Sequence, residues 1–144
     1  MTITQEQKDL LLKDLCGRLP YGVKIQTPTN CWTSEEGICE LKEIFKGDDG
    51  LFRIGDVGAL IEYSKPYLFP MSSMTEEQEE ELKNIYYRYN GMFQYTERIF
   101  DRIPFSKMKY FPYQVEEFFN KNHIDYRGLI PMGLANDATN LNIY

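Results

Sequence analysis

Two prolines four residues apart, in the stretch KPYLFP (65–70), divide this chain into halves with different rhythms. Each proline fixes its own φ, and each biases the residue before it, Lys65 or Phe69, toward extended backbone. No regular helix runs through such a segment. The three large apolar side chains between the prolines, Tyr67, Leu68 and Phe69, are held for packing, and the segment is expected to be a stiff crossover from a sheet into a helical half.

Upstream of the crossover the rhythm changes once. Leu11, Leu12, Leu15 and Cys16 form one helical stripe, so a helix is expected over 4–17 with Thr2 or Thr4 as its cap. Gly17 is the expected left-handed exit and Pro20 the stop. Tyr21, Val23 and Ile25 then alternate with polar or small residues, the period of a half-buried strand over 21–27. After a loop rich in Thr, Pro and Asn, ICELKEIF (38–45) and LFRIG flank GDDG (47–50), which reads as a hairpin whose aspartates bond their own backbone. GALIEY (58–63) offers one more short strand.

Downstream the period is helical. Ser73 and Thr75 are rival caps, with Glu76 or Gln78 three residues on, and Glu76, Glu77, Glu79, Glu80 and Glu81 crowd the first turns, where the helix dipole favours negative charge. Leu82, Ile85, Tyr86 and Tyr89 make the apolar stripe before Asn90-Gly91. Shorter helices are expected in TERIFDRI (96–103), cut by Pro104, and in YQVEEFFNKNH (113–123) behind Pro112. The closing DYRGLIPMGLANDATNLNIY reads as an ordered turn that frays into a polar tail.

A chain of 144 residues with 42% hydrophobic content suits one core. The expected fold is a single α+β domain over 1–144. Its sheet-forming part spans 21–63, its helical part 72–135 and its polar tail 136–144. The sheet is small and antiparallel, flanked by several helices, with an SH3-like barrel as one way for it to curl.

Several function classes lose ground here. No apolar run reaches the roughly 18–20 residues of a membrane helix. The first residues also lack the pattern of a secretory signal, so a cytoplasmic location and no membrane association are expected. With 22 acidic against 16 basic side chains the net charge is −6, which repels phosphate backbones on average. Lys107, Lys109, Arg102 and Tyr110 are the local exception, and they carry the nucleic-acid alternative. Cys16, Cys31 and Cys39 form no disulfide framework. Seven residues separate Cys31 from Cys39, which is not the tight pair of a zinc site. Neither an EF-hand nor a phosphate loop is present, and no cofactor or metal is expected. The single histidine, His123, lies at an expected helix end, where a protonated ring complements the last carbonyls. It would also be the base of any hydrolase or transferase built on Cys31 or Cys39, but no nucleophile motif accompanies it.

What remains is an aromatic excess, 15% of the chain. Tyrosine anchors interfaces because it combines a large apolar area with one polar group, and it builds small cores for the same reason. The candidate binding residues are Tyr67 and Phe69 in the crossover, with Tyr126 and Arg127 as a stacked ring beside a forked donor. The alternative for the latter pair is that Tyr126 packs and Arg127 pairs with Asp125 or a helix end.

The stretches LCGRLPYGVKIQ (15–26), KPYLFPMSSMTEEQ (65–78) and FFNKNHIDYRGLIPMGLA (118–135) resemble a group of small uncharacterised proteins encoded by gut Bacteroides genomes, often in prophage-like or mobile regions. The group has no activity, cofactor or catalytic residue to carry over. Its crossover often reads KPYLRPMSSMTEE, whereas this chain has Phe69 in place of the basic residue, and Pro131-Met132 stands where the group has a charged pair. The resulting expectation is a non-enzymatic binding or adaptor protein with a protein partner, serving a phage or mobile element.

Overall fold

The computed structural model describes residues 3–26, 37–55, 59–89 and 113–144, with side chains up to residue 85 in the third segment. The expected loop after residue 27, Cys31, the Asn90-Gly91 stop, the helix in 96–103 and Arg102, Lys107, Lys109 and Tyr110 lie outside them, as do the side chains of Tyr86 and Tyr89. The fold is α+β. Its elements are α1 (Gln5–Arg18), β1 (Lys24–Gln26), β2 (Ile38–Glu40), β3 (Ile44–Lys46), β4 (Phe52–Ile54), β5 (Ala59–Leu60), β6 (Lys65–Pro70), α2 (Glu76–Tyr89), α3 (Tyr113–Lys121), β7 (Ile124–Asp125) and β8 (Asn136–Asp137).

Local chemistry sets the starts of α1 and α2. Thr4 caps α1: its hydroxyl accepts from the Gln7 N–H at 3.1 Å, and Gln7 returns the contact to the Thr4 N–H at 2.9 Å. At α2 Thr75 is the cap, exchanging the same pair of bonds with Gln78. Ser73 instead sits in a 3-10 turn and donates to the Pro70 carbonyl at 2.6 Å. Thr75→Ala is therefore expected to cost about 1 kcal/mol in urea denaturation. Ser73→Ala should cost clearly less, and the opposite order would assign the cap to Ser73.

The end of α1 differs from expectation. Gly17 remains helical, and Gly22, after a 3-10 turn at Leu19–Tyr21, takes the left-handed φ of 67°. Gly17 is small for another reason: a Cβ there would lie 2.9 Å from the Asn120 Nδ2, so its absence lets α3 approach α1.

The crossover is itself a strand. β6 is the hub of a mixed five-stranded sheet, pairing antiparallel with β1 and parallel with both β7 and β8, while β2 extends the sheet beyond β1. The prolines are tolerated because they fall near the two ends of the strand, where pairing changes from β1 (at Lys65 and Pro66) to β7 (at Phe69 and Pro70). Parallel pairing arises because β7 and β8 come from the second half of the chain. The sheet is thus not purely antiparallel, nor confined to 21–63, and the described strands do not close into a barrel.

The run 38–45 also divides. It bends at Leu41, which is buried, so that β2 joins the first sheet while β3 opens a second one, ordered β3-β4-β5. Across GDDG the expected hairpin forms, with the Asp49 carboxylate accepting from the Leu51 N–H at 3.1 Å and from Arg53. The third strand is only Ala59–Leu60, followed by a 3-10 turn. Residues 136–144 do not fray: β8 pairs with β6, and the Ala138 N–H donates to the Leu68 carbonyl at 2.8 Å.

Two apolar clusters result. Leu11, Leu15, Val23, Ile25, Leu41, Ile54 and Leu68 pack between α1 and the sheets, and Leu82, Val115, Phe118, Phe119, Ile124 and Tyr126 pack between α2 and α3. Burying each such side chain contributes about 1.5–3 kcal/mol.

Candidate functional site

Between the two clusters lies a charged network that sequence periodicity did not indicate. Asp14 and Arg18, one turn apart on α1, are both fully buried. The Arg18 Nε donates to the Asp14 Oδ2 at 2.8 Å, and its other nitrogens donate to the carbonyls of Phe119 (3.3 Å) and Ile124 (2.6 Å). One guanidinium thus joins α1 to the last turn of α3 and the start of β7. Arg127 reaches the other Asp14 oxygen at 3.1 Å and Glu116 at 2.7 Å. Its carbon lies 4.5 Å from the centroid of the Tyr126 ring, whose hydroxyl donates to Glu116 at 2.9 Å. Burial, reinforced by Glu116, holds the Tyr126 hydroxyl neutral well above the usual range, though Arg127 opposes the shift. Asp125, one of the two partners offered for Arg127, accepts instead from the N–H groups of Leu129 and Ile130 at 2.8 and 2.9 Å.

Of the four sequence candidates, Tyr126 and Arg127 therefore belong to this interior network. Tyr67 is buried in β6, and Phe69 is half-buried in the same strand with its ring against Tyr144, centroids 5.7 Å apart. The structure brings Tyr67 and Phe69 together around Tyr144, and Tyr126 and Arg127 together around Glu116. Tyr144 was not legible as a partner, because nothing local to it points to β6.

The Tyr144 contact has a definite geometry. The Tyr144 ring stacks on the His123 imidazole, centroids 3.9 Å apart and planes at 15°. Its hydroxyl accepts from the Lys24 N–H and donates to the Tyr67 carbonyl, both at 2.8 Å. Burial pushes its pKa up to about 12, so the phenol stays protonated. His123 takes a positive φ of 58° just beyond α3. Burial, aided by the Arg18 charge, lowers its pKa to about 4, so at neutral pH the ring is uncharged and does not act as the protonated helix-end cation expected from sequence. Among the described residues, its Nδ1 and the Asn120 Oδ1 are buried without a hydrogen-bond partner.

The thiols are divided. Cys39 packs on the first cluster from β2, while Cys16 is exposed on α1, its pKa raised by burial of the sulfur. The Cys16 shift runs opposite to the lowered pKa of an activated nucleophile. Among the described residues no group of three or more His, Cys, Asp or Glu is placed to hold a metal, and no helix is long and apolar enough to cross a membrane.

Three exposed large apolar side chains gather on the β3–β4 hairpin, apart from Tyr63 and Tyr113, which are exposed elsewhere. Phe45, Leu51 and Phe52 are 36%, 49% and 39% exposed. Phe45 stands opposite Arg53 and Phe52 opposite Lys46, so the two rings fall on opposite faces of the hairpin. The Lys46 ammonium lies 5.7 Å from the Phe52 centroid. No protein-family model, curated protein or solved structure matches the chain.

Proposed function

We propose that this protein is a non-enzymatic binding or adaptor module that grips a protein partner through the β3–β4 hairpin. The carrying observation is the concentration of three exposed large apolar side chains, Phe45, Leu51 and Phe52, on one hairpin whose inner end alone is packed: Ile54 is buried, and Ile44 packs on the first cluster. Rings on both faces fit a hairpin inserted into an apolar cleft better than one lying on a flat surface. Binding energy at such contacts concentrates in a few aromatic anchors. The Bacteroides resemblance adds the setting, a phage or mobile element, and the net charge of −6 favours a protein partner over nucleic acid.

The test compares wild type with Phe45→Ser/Phe52→Ser in affinity capture from a Bacteroides lysate, at low and high salt. A partner held by wild type at both salt concentrations should bind the variant at least about 30-fold more weakly, the equivalent of one aromatic hot spot. The variant's melting temperature should remain close to wild type. Equal retention by a folded variant would remove the hairpin from the interface.

A further inference from the structure

Tyr144 occupies its place on β6 as a ligand occupies a site. We propose that β6 carries a tyrosine-recognition socket, formed by the rings of His123 and Phe69 with the Lys24 N–H and the Tyr67 carbonyl, which Tyr144 fills in cis and a tyrosine side chain of another chain fills when residues 139–144 lift away.

The register identifies the socket. β1 and β6 pair at Gln26 with Lys65 and at Ile25 with Pro66, so the next rung of that ladder is Lys24 with Tyr67. The Tyr144 hydroxyl stands between them, accepting from the Lys24 N–H and donating to the Tyr67 carbonyl at 2.8 Å each. One backbone donor and one acceptor, opposed across that rung, match a phenol O–H, which both accepts and donates. An aliphatic side chain or phenylalanine supplies neither of these two contacts. Beyond Pro66 and before β7 joins at Phe69, the imidazole and the Phe69 ring supply the aromatic walls. The neutral imidazole offers a stacking face without a charge.

The occupant is held so that it can leave. Tyr144 as a residue remains 44% exposed although its hydroxyl bonds to β1 and β6, and it is not a member of either buried apolar cluster. Residues 139–142 are exposed, and Asn140 and Asn142 both take positive φ, 67° and 51°. Asparagine accepts that conformation at modest cost, yet two such residues in three hold the strap in a shape the free chain rarely adopts. Retention therefore concentrates in β8, Ala138 and Tyr144.

The probes are N-acetyl-tyrosinamide and, as the analogue without the hydroxyl, N-acetyl-phenylalaninamide. Each is titrated into wild type and Tyr144→Ala, with chemical shifts of Lys24 and His123 as the readout. The Tyr144→Ala protein should bind the tyrosine probe about 30-fold more tightly than the phenylalanine probe, the worth of two neutral hydrogen bonds. Wild type, with the socket filled in cis, should bind it at least about tenfold more weakly than the variant. Should Tyr144→Ala prove unfolded alone, recovery of its near-UV signal with the tyrosine probe and not with the phenylalanine probe is the supporting result. Equal response to both probes, equal binding by wild type and variant, or no binding and no recovery overturns the proposal.

Discussion

Asp14→Ala is expected to destabilise the protein by about 3–5 kcal/mol, the cost of stranding a buried charge. Arg18 is fully buried, and Asp14 is the carboxylate bonded to it. Removing that carboxylate leaves a guanidinium held by two carbonyls, Phe119 and Ile124, and takes one of its two carboxylate partners from Arg127. An apolar replacement of the pair does not fully restore stability. Those carbonyls belong to the end of α3 and the start of β7, and without Arg18 each loses a charged donor. In a double-mutant cycle measured by urea denaturation, Asp14→Ala and Arg18→Met should each be severe, and the double variant should cost clearly less than their sum. A loss below about 1 kcal/mol for Asp14→Ala would mean that water reaches Arg18 and that the network does not join α1 to α3 and β7.

That network also marks where sequence reasoning stops. The starts of α1 and α2 were readable to within two rival caps each, Thr2 or Thr4 and Ser73 or Thr75, because capping is local chemistry, and the β3–β4 turn was readable because Asp49 bonds its near neighbours. β6 was not. Its prolines describe a local backbone preference correctly, since the segment is extended, but whether an extended segment pairs depends on segments that meet it from residues 24–26, 124–125 and 136–137. Arg18 likewise reads as an ordinary basic residue in the last turn of a helix until its carbonyl partners, 101 and 106 residues away, arrive beside it. Tyr126-Arg127 carried a partial signal. Packing of the ring and pairing of the guanidinium are both observed, but Arg127 bonds to Asp14, far along the chain, and the neighbouring Asp125 is taken by two backbone N–H groups. For the same reason exposed aromatics could not be told from buried ones. Cys39, Leu41 and Phe45 share one parity, yet the bend at Leu41 transfers the run to a second sheet and leaves Phe45 in solvent.

The second large effect is an acid-sensitive stability centred on His123. Its folded pKa of about 4 lies below the ordinary 6.5, chiefly through burial and secondly through the Arg18 charge. The unfolded chain therefore binds a proton in a pH range where the folded one does not, and stability falls as pH drops. This contribution is complete above about pH 6.5, declines through the interval down to about pH 4 and levels off below it. Partial exposure of the ring screens it, leaving a loss on the order of 2 kcal/mol. His123→Phe separates this effect from that of the carboxylates, because a phenyl ring keeps the stack on Tyr144 and takes no proton. Between about pH 7 and pH 4.5, wild type should lose more stability in urea than the variant does. His123 is the single histidine of the chain, so its imidazole resonance can also be followed directly in the folded protein. A titration midpoint near 4 would place the neutral ring against Tyr144 throughout the physiological range. A midpoint near 6.5 would mean that the imidazole is solvated, and that the wall it gives the Tyr144 socket opens with modest acidification.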